Sequence, residues 1–448
     1  MSDTFGTPED ERAMLDAIGA SSLDELFACI PEGIRLRRRL HLPLALSEVE
    51  LSRHLGLLAQ KNVPAGQGVC FLGGGSYDHF VPAVVDAIAS RSEYYTSYTP
   101  YQPEVSQGNL QAMFEYQTLI CQLTGMDVSN ASLYDGGSAA AEAALLCMSV
   151  SRRPHKVVTA ASVHPEYRRI MATYFTHLDV DLVTVKTPGG AVSPEDLAAA
   201  VDDRTACVFL QHPNFFGCLE DVAGAARLAH QRGALLAVAC DPISLGLLKR
   251  PGDVGADVVV AEGQCLGNPM QFGGPYLGIM ACREQFVRRM PGRIAGQTVD
   301  RHGRRCWVLT LQTREQHIRR ERATSNICTN QGLLALRAAV YLACLGPQGL
   351  RELAELCLQK ASYAATQLTA HARFARAFRH PTFKEFAVRD RRGEVQGLLA
   401  EARTAGIFAG LPLGTWYPEM GDTFLVAVTE KRTRQEIEDW VRCLTGSS

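Results

Sequence analysis

A chain of 448 residues with 46% hydrophobic and 21% charged side chains has an ordinary globular composition, long enough for one large domain and a smaller companion, and unlike a disordered, collagenous or membrane-embedded polypeptide. The formal net charge of -2 supplies no chain-wide attraction for nucleic acid or an anionic membrane, so neither is expected as a partner. The fourteen cysteines are scattered with no Cys-x-x-Cys pair, and the start of the chain is acidic; this points away from any metal site and toward the reducing cytoplasm.

In chain order, the first signals are helical. Thr7 precedes Pro8 as a cap residue before a first-turn proline, and Ser47 with Glu50 forms a capping box ahead of Leu51, Leu55 and Leu58. Residues 1–61 are expected to be a helical arm. From Asn62 to Gln107 glycine, proline and tyrosine dominate, with Gly73-Gly74-Gly75 and an extended run from Tyr94 to Pro103, so a long loop is expected. A helix follows from Gly108 to Thr124, closed by Gly125, and another begins after Asp135-Gly136-Gly137-Ser138.

Short apolar runs then alternate with helical patterns. Strands are expected at 156–162, 180–186, 206–211, 234–239 and 257–262, with helices over 165–177 and 220–232 and a helix start at Ser193-Pro194-Glu195. This alternation is that of an α/β domain with a parallel sheet covered on both faces. Beyond Gln331 longer helical patterns and apolar runs at 383–389 and 424–429 suggest a small mixed α+β domain. The expected division is therefore 1–61, 62–330 and 331–448.

Ligands of open α/β sheets sit beyond the carboxyl ends of the strands. Ser162 and His164 stand there, as do Gln211, His212 and Asn214, then Asp241, then Glu262 and Gln264. Singly, each suits a turn or a cap. Their concentration at strand ends points to one pocket. Asp241 ends an apolar strand and would need a cationic partner such as a pyridine nitrogen. Ser138 lies at a helix start that offers N–H groups to an anion, and His164 could stack on a ring.

The longer motifs carry a resemblance. Phe71-Leu72-Gly73 with Tyr77-Asp78-His79, the stretch Tyr98 to Gly108, Pro213-Asn214-Phe215-Phe216-Gly217, Gly267 to Met270 with Phe272 to Pro275, and Arg322 to Thr329 resemble the glycine cleavage system P-protein family, in its amino-terminal-half type of subunit. The resemblance implies a fold-type I, aspartate aminotransferase-like fold of pyridoxal-phosphate (PLP) enzymes. It also implies that glycine is decarboxylated on PLP and its aminomethyl group passed to the lipoyl arm of H-protein.

In the catalytic half of that family a lysine upstream of a glycine-rich turn forms the Schiff base. Aligning that turn with Gly273-Gly274-Pro275 places Gln264 at the lysine position, and an amide nitrogen cannot attack an aldehyde. Only seven lysines occur, Lys61, Lys156, Lys186, Lys249, Lys360, Lys384 and Lys431. The nearest, Lys249, precedes Arg250-Pro251-Gly252 in what reads as a solvated loop.

The resemblance thus implies that a partner subunit binds PLP covalently and that this chain lends loops to the partner's site. The implied contributors are Tyr98, Thr99, Tyr101, Gln102 and Glu104 from the tyrosine-rich loop, and Arg314, Arg322, Thr324, Ser325 and Asn326 from the arginine-rich segment. The bland readings are aromatic interface packing and a solvated charged face. Ser138, His164, Asn214, Asp241 and Gln264 would line a vestigial cofactor pocket. Two other readings stay open: a scaffold that only stabilises the catalytic subunit, and a self-sufficient PLP enzyme using Lys249.

Overall fold

A computed structural model describes residues 6–446 apart from 152, 154 and 324. The chain divides after Val63 into two units. In the first, Thr7 and Asp10 close a capping box on α1 (Pro8–Ile18), and Ser47 and Glu50 do the same on α2 (Glu48–Ala59). Both helix starts read from the sequence are present. The leucines of α2 at 51, 55 and 58 are exposed, so this arm buries almost none of its own apolar surface.

The second unit is built on a seven-stranded sheet. In chain order its strands are β1 (Val128–Ser129), β2 (Lys156–Ala160), β3 (Asp181–Val185), β4 (Thr205–His212), β5 (Leu235–Cys240), β6 (Val258–Glu262) and β7 (Gly278–Cys282). The spatial order is β1-β7-β6-β5-β4-β2-β3. Strands β2 to β6 are parallel, whereas β7 runs antiparallel to β6 and β1 antiparallel to β7. The central runs Val208-Phe209-Leu210, Leu236-Ala237-Val238 and Val258-Val259-Val260 are buried almost completely, as a sheet covered on both faces requires. The five expected strands are found within two residues of their expected ends; β1 and β7 are additions.

The helices that frame this sheet and join it to the smaller lobe include α3 (Gln107–Thr124), which ends at Gly125 with φ 73°, α4 (Gly136–Ser151), α5 (Pro165–Phe175) and α6 (Gly332–Thr369), and the shorter helices Pro194–Ala200 and Val222–Gln231 also pack on it. Helix α6 has the length and hydropathy of a membrane span. It is nevertheless broken at Gly346, φ 61°, just before Pro347, and its apolar side chains enter two of the hydrophobic clusters of this unit, so it is a core helix.

The smaller lobe is a four-stranded antiparallel sheet in the order β8 (Phe374–Arg376), β9 (Glu385–Asp390), β11 (Thr423–Ala427) and β10 (Leu411–Pro412), backed by the helices Val395–Thr404 and Arg434–Thr445. Its core also recruits Phe71, which stacks on Trp440 at 4.8 Å, while Val69–Cys70 pairs in parallel with Ile407–Phe408. The small lobe is therefore drawn from both sides of the large one in the chain.

Candidate functional site

The carboxyl ends of β2, β4, β5 and β6 converge on one cavity, as their polar residues suggested. Its lining includes His164, Gln211, Asp241 and Glu262, together with Tyr77 and the small-lobe pair Lys384 and Glu385. Ser138 lies in the first turn of α4, Asn214 in the turn after β4 and Gln264 behind Tyr77, and none of the three lines the cavity. The Asn214 side chain donates to Gly190 O and Glu220 and accepts from the N–H groups of Phe216 and Cys218, which knots its own turn.

A pyridoxal phosphate in this fold needs a cation site for its ring nitrogen, a lysine for its aldehyde and an anion site for its phosphate. Here side chains of the chain itself fill all of them. Lys384, 1% exposed, sets its Nζ 2.8 Å from Asp241 Oδ2, where a pyridinium would pair. Gln264, also 1% exposed, accepts from Tyr77 N–H at 2.8 Å and donates to Tyr77 O and Asn268 O, so its amide serves as a cross-brace.

At the start of α4 the Gly136 N–H is taken by Glu262 at 2.9 Å and the Ser138 N–H by Asp135 at 2.7 Å. A Cβ on Gly136 would meet the Tyr167 hydroxyl at 2.2 Å, so α5 already occupies the approach to that helix end. About 30 Å³ of free space remains, room for a water and not for a phosphorylated ring. The pocket does not fit PLP.

The other groups around it are likewise engaged. His164 stacks on Tyr167 at 4.7 Å and hydrogen-bonds Gly74 O through Nε2, and burial pushes its imidazole down to about 4, so it is neutral. Glu385 accepts from Gly74 N–H and Tyr77 Oη, and burial pushes its carboxyl up to about 7. Lys249 is exposed after β5 and does not line the cavity.

The two segments read as interface contributors come together elsewhere, through a residue that the sequence reading missed. Arg293, 3% exposed, donates to Tyr101 Oη at 3.1 Å, Cys328 O at 2.9 Å and Asn330 Oδ1 at 3.0 Å, and its guanidinium lies 5.6 Å from the Tyr101 ring centroid. It ties the tyrosine-rich loop to the stretch after Asn326. Arg314 makes no fork for an outside anion: it donates to the backbone carbonyls of Met290, Gly292 and Leu311 and so fixes the turn that carries Arg293.

Tyr98, Gln102, Glu104, Arg322 and Asn326 are exposed, Thr99 and Ser325 half-buried, and Thr324 lies outside the described residues. Between this loop, α3 and the start of α6 opens a cavity of about 190 Å³ lined by Tyr94, Tyr98, Asn109, Met113, Asn330 and Leu336 among others. The small pocket and this larger one are thus separate places in the fold.

Glu142, in α4, is 2% exposed, and burial pushes its carboxyl from 4.5 up to about 7, opposed by the Ser325 hydroxyl. The folded chain therefore holds that proton more tightly than the unfolded one. The stability this contributes is full below the unfolded pKa and is lost as pH rises through the folded value. Glu142→Gln keeps the neutral form at every pH. It is expected to leave unfolding free energy unchanged near pH 4 and to raise it by about 1–3 kcal/mol at pH 8, as urea titrations at the two pH values would show.

A family model described as glycine cleavage system P-protein matches residues 5–444. A relative from Carboxydothermus hydrogenoformans, named probable glycine dehydrogenase (decarboxylating) subunit 1, is 53% identical over 442 residues, 98% of each chain. Its namesake from Desulforamulus reducens is 51% identical over 96% of each chain. A crystal structure of glycine decarboxylase (P-protein) of the glycine cleavage system, in inhibitor-bound form, superposes with a TM-score of 0.91 at 42% identity, covering 99% of both chains. A glutamate decarboxylase from Lactobacillus brevis shares the fold at a TM-score of 0.69 and 14% identity. These likenesses agree with the fold-type I architecture expected from the sequence.

Proposed function

The chain belongs to the glycine cleavage system P-protein family, and from that premise we propose that it is the subunit without the Schiff-base lysine in a two-subunit glycine decarboxylase, with PLP bound covalently by the partner. With that partner it decarboxylates glycine and passes the aminomethyl group to the lipoyl arm of H-protein in the cytoplasm. The supporting observation is the filled pocket: Lys384 pairs with Asp241, and the amide of Gln264, at the position that the resemblance gives to the Schiff-base lysine, is spent as a cross-brace, so the electron sink is assigned to another subunit.

This chain's own part is to complete and shield the partner's site. Tyr98, 86% exposed, and Tyr101, 47% exposed, project from a proline-stiffened loop that Arg293 braces from beneath. Exposed aromatic and apolar groups such as Tyr95, Tyr98 and Val105 beside an open cavity are what a subunit interface buries. Tyr98, Thr99, Tyr101, Gln102 and Glu104, with Arg322, Thr324, Ser325 and Asn326, are the groups assigned to that surface. They supply hydroxyl, amide and guanidinium donors and exclude water from the reacting centre.

Tyr101→Phe and Ser325→Ala in the assembled enzyme are each expected to lower glycine turnover about tenfold, one charge-assisted or oriented hydrogen bond, with assembly unchanged by gel filtration. Unchanged turnover in both variants would instead favour a scaffold that only stabilises the catalytic subunit.

A further inference from the structure

We propose that Lys384 is a built-in substitute for the cofactor: its ammonium occupies the cation position opposite Asp241, clamps the small lobe onto the sheet, and makes the vestigial pocket a site for a primary ammonium ion. The inference goes beyond the decarboxylation reading and does not depend on it.

The geometry around Nζ is complete. An ammonium has three donors. Here Asp241 Oδ2 lies at 2.8 Å, His79 Nε2 at 3.0 Å and the Tyr77 ring centroid at 3.5 Å. A carboxylate beneath an apolar sheet is costly unless paired, and it stays paired here without any outside ligand. Burial is the largest single influence and weighs against the ammonium, but the Asp241 charge and hydrogen bond, with smaller contributions from Cys265 and Cys357, together leave the lysine above its ordinary pKa, so the proton stays on Nζ.

The next groups continue the same arrangement. Burial holds His79 neutral below its usual value, so Nε2 accepts from Lys384 while Nδ1–H donates to Glu430 at 2.6 Å. Against the cost of burial, hydrogen bonds from His79 and Phe80 N–H hold Glu430 at about 2, ionised. A chain of carboxylate, ammonium, imidazole and carboxylate thus runs from the end of β5 through the Tyr77-Asp78-His79 loop to the loop after β11. It joins the two lobes where a cofactor would otherwise lie.

The neighbouring Glu385 reinforces this by bonding Gly74 N–H and Tyr77 Oη. Among the described residues Lys384 is the one buried lysine of the seven in the chain.

The test uses the full chain and thermal unfolding. Lys384→Ala and Lys384→Met are each expected to lower Tm by about 5–10 °C, because they strand Asp241. Ethylammonium or propylammonium chloride should restore several degrees to Lys384→Ala, and neither salt should protect the native chain or Lys384→Met, whose methionine fills the space. Sodium and tetramethylammonium chloride should restore nothing.

The double variant Asp241→Asn with Lys384→Met should lose clearly less than the sum of the single losses. That comparison holds even if Lys384→Ala does not fold. Additive losses, no selectivity for primary amines in a folded Lys384→Ala, or stoichiometric binding of PLP to the native chain alone would each overturn the proposal.

Discussion

Replacing Arg293 by methionine in the assembled two-subunit enzyme is expected to reduce glycine turnover about 100-fold, while circular dichroism stays native and the subunits still co-elute. The side chain is the junction between Tyr101 and the Cys328–Asn330 stretch, and its hydrogen bonds to Tyr101, Cys328 and Asn330 span 2.9–3.1 Å. Methionine fills much of the volume but donates nothing. Both loops are then free to shift by an ångström or so, a misplacement that costs about two orders of magnitude when the loops position a reaction.

On the proposed function Arg293 acts through those loops, as a positioning residue. A purely structural role would predict lost assembly or lost cooperativity of unfolding with kcat per assembled complex unchanged; a positioning role predicts the reverse. Arg293→Lys, which keeps the charge and one or two of the bonds, should recover part of kcat. Equal kcat in native and Arg293→Met complexes would show that this residue positions nothing.

Gly217→Ala is expected to cost about 3–5 kcal/mol, read by urea unfolding or by loss of soluble protein. Gly217 ends the Pro213-Asn214-Phe215-Phe216 turn at φ +81°, a conformation that alanine rarely adopts. A Cβ there would also stand 2.0 Å from the carbonyl oxygen of Glu385. That oxygen cannot retreat easily, because Glu385 belongs to β9 and its carboxylate holds Gly74 and Tyr77. Gly397→Ala is the control: it lies inside a helix with no atom within 4 Å of the added carbon, and should gain about 0.5–1 kcal/mol.

Strands β2, β4, β5 and β6 were legible in the sequence because a sheet buried on both faces demands apolar runs, and the polar residues at their ends marked the pocket; the half-exposed edge strand β3 showed itself by its β-branched Val183-Thr184-Val185. Strand β1 has two residues, too few for any periodicity. Strand β7 comes soon after the Gly273-Gly274-Pro275 turn as Gly278-Ile279-Met280-Ala281-Cys282, a run without β-branched or aromatic emphasis beyond one isoleucine.

The expectation for Gln264 rests on local order alone: it comes after the strand and before the glycine-rich turn. Lys384 and Arg293 were not legible, because each acquires its role from partners far away in the chain: Asp241 for the lysine, Tyr101 and Asn330 for the arginine. A lysine before an apolar strand reads as a solvated end, and nothing in its neighbours signals burial. The one hint available was a carboxylate, Asp241, that needed a cation; the sequence suggested a pyridinium where the fold supplies an ammonium.

The most direct measurement is reconstitution from separately purified subunits, following release of labelled carbon dioxide from glycine in the presence of lipoylated H-protein, with the absorption spectrum of each subunit recorded after adding PLP. A subunit without the Schiff-base lysine should give no cofactor band and no carbon dioxide on its own, and adding it to the partner should switch turnover on. A cofactor band on this chain by itself, lost on borohydride treatment into a labelled lysine and accompanied by release of carbon dioxide, would contradict that assignment.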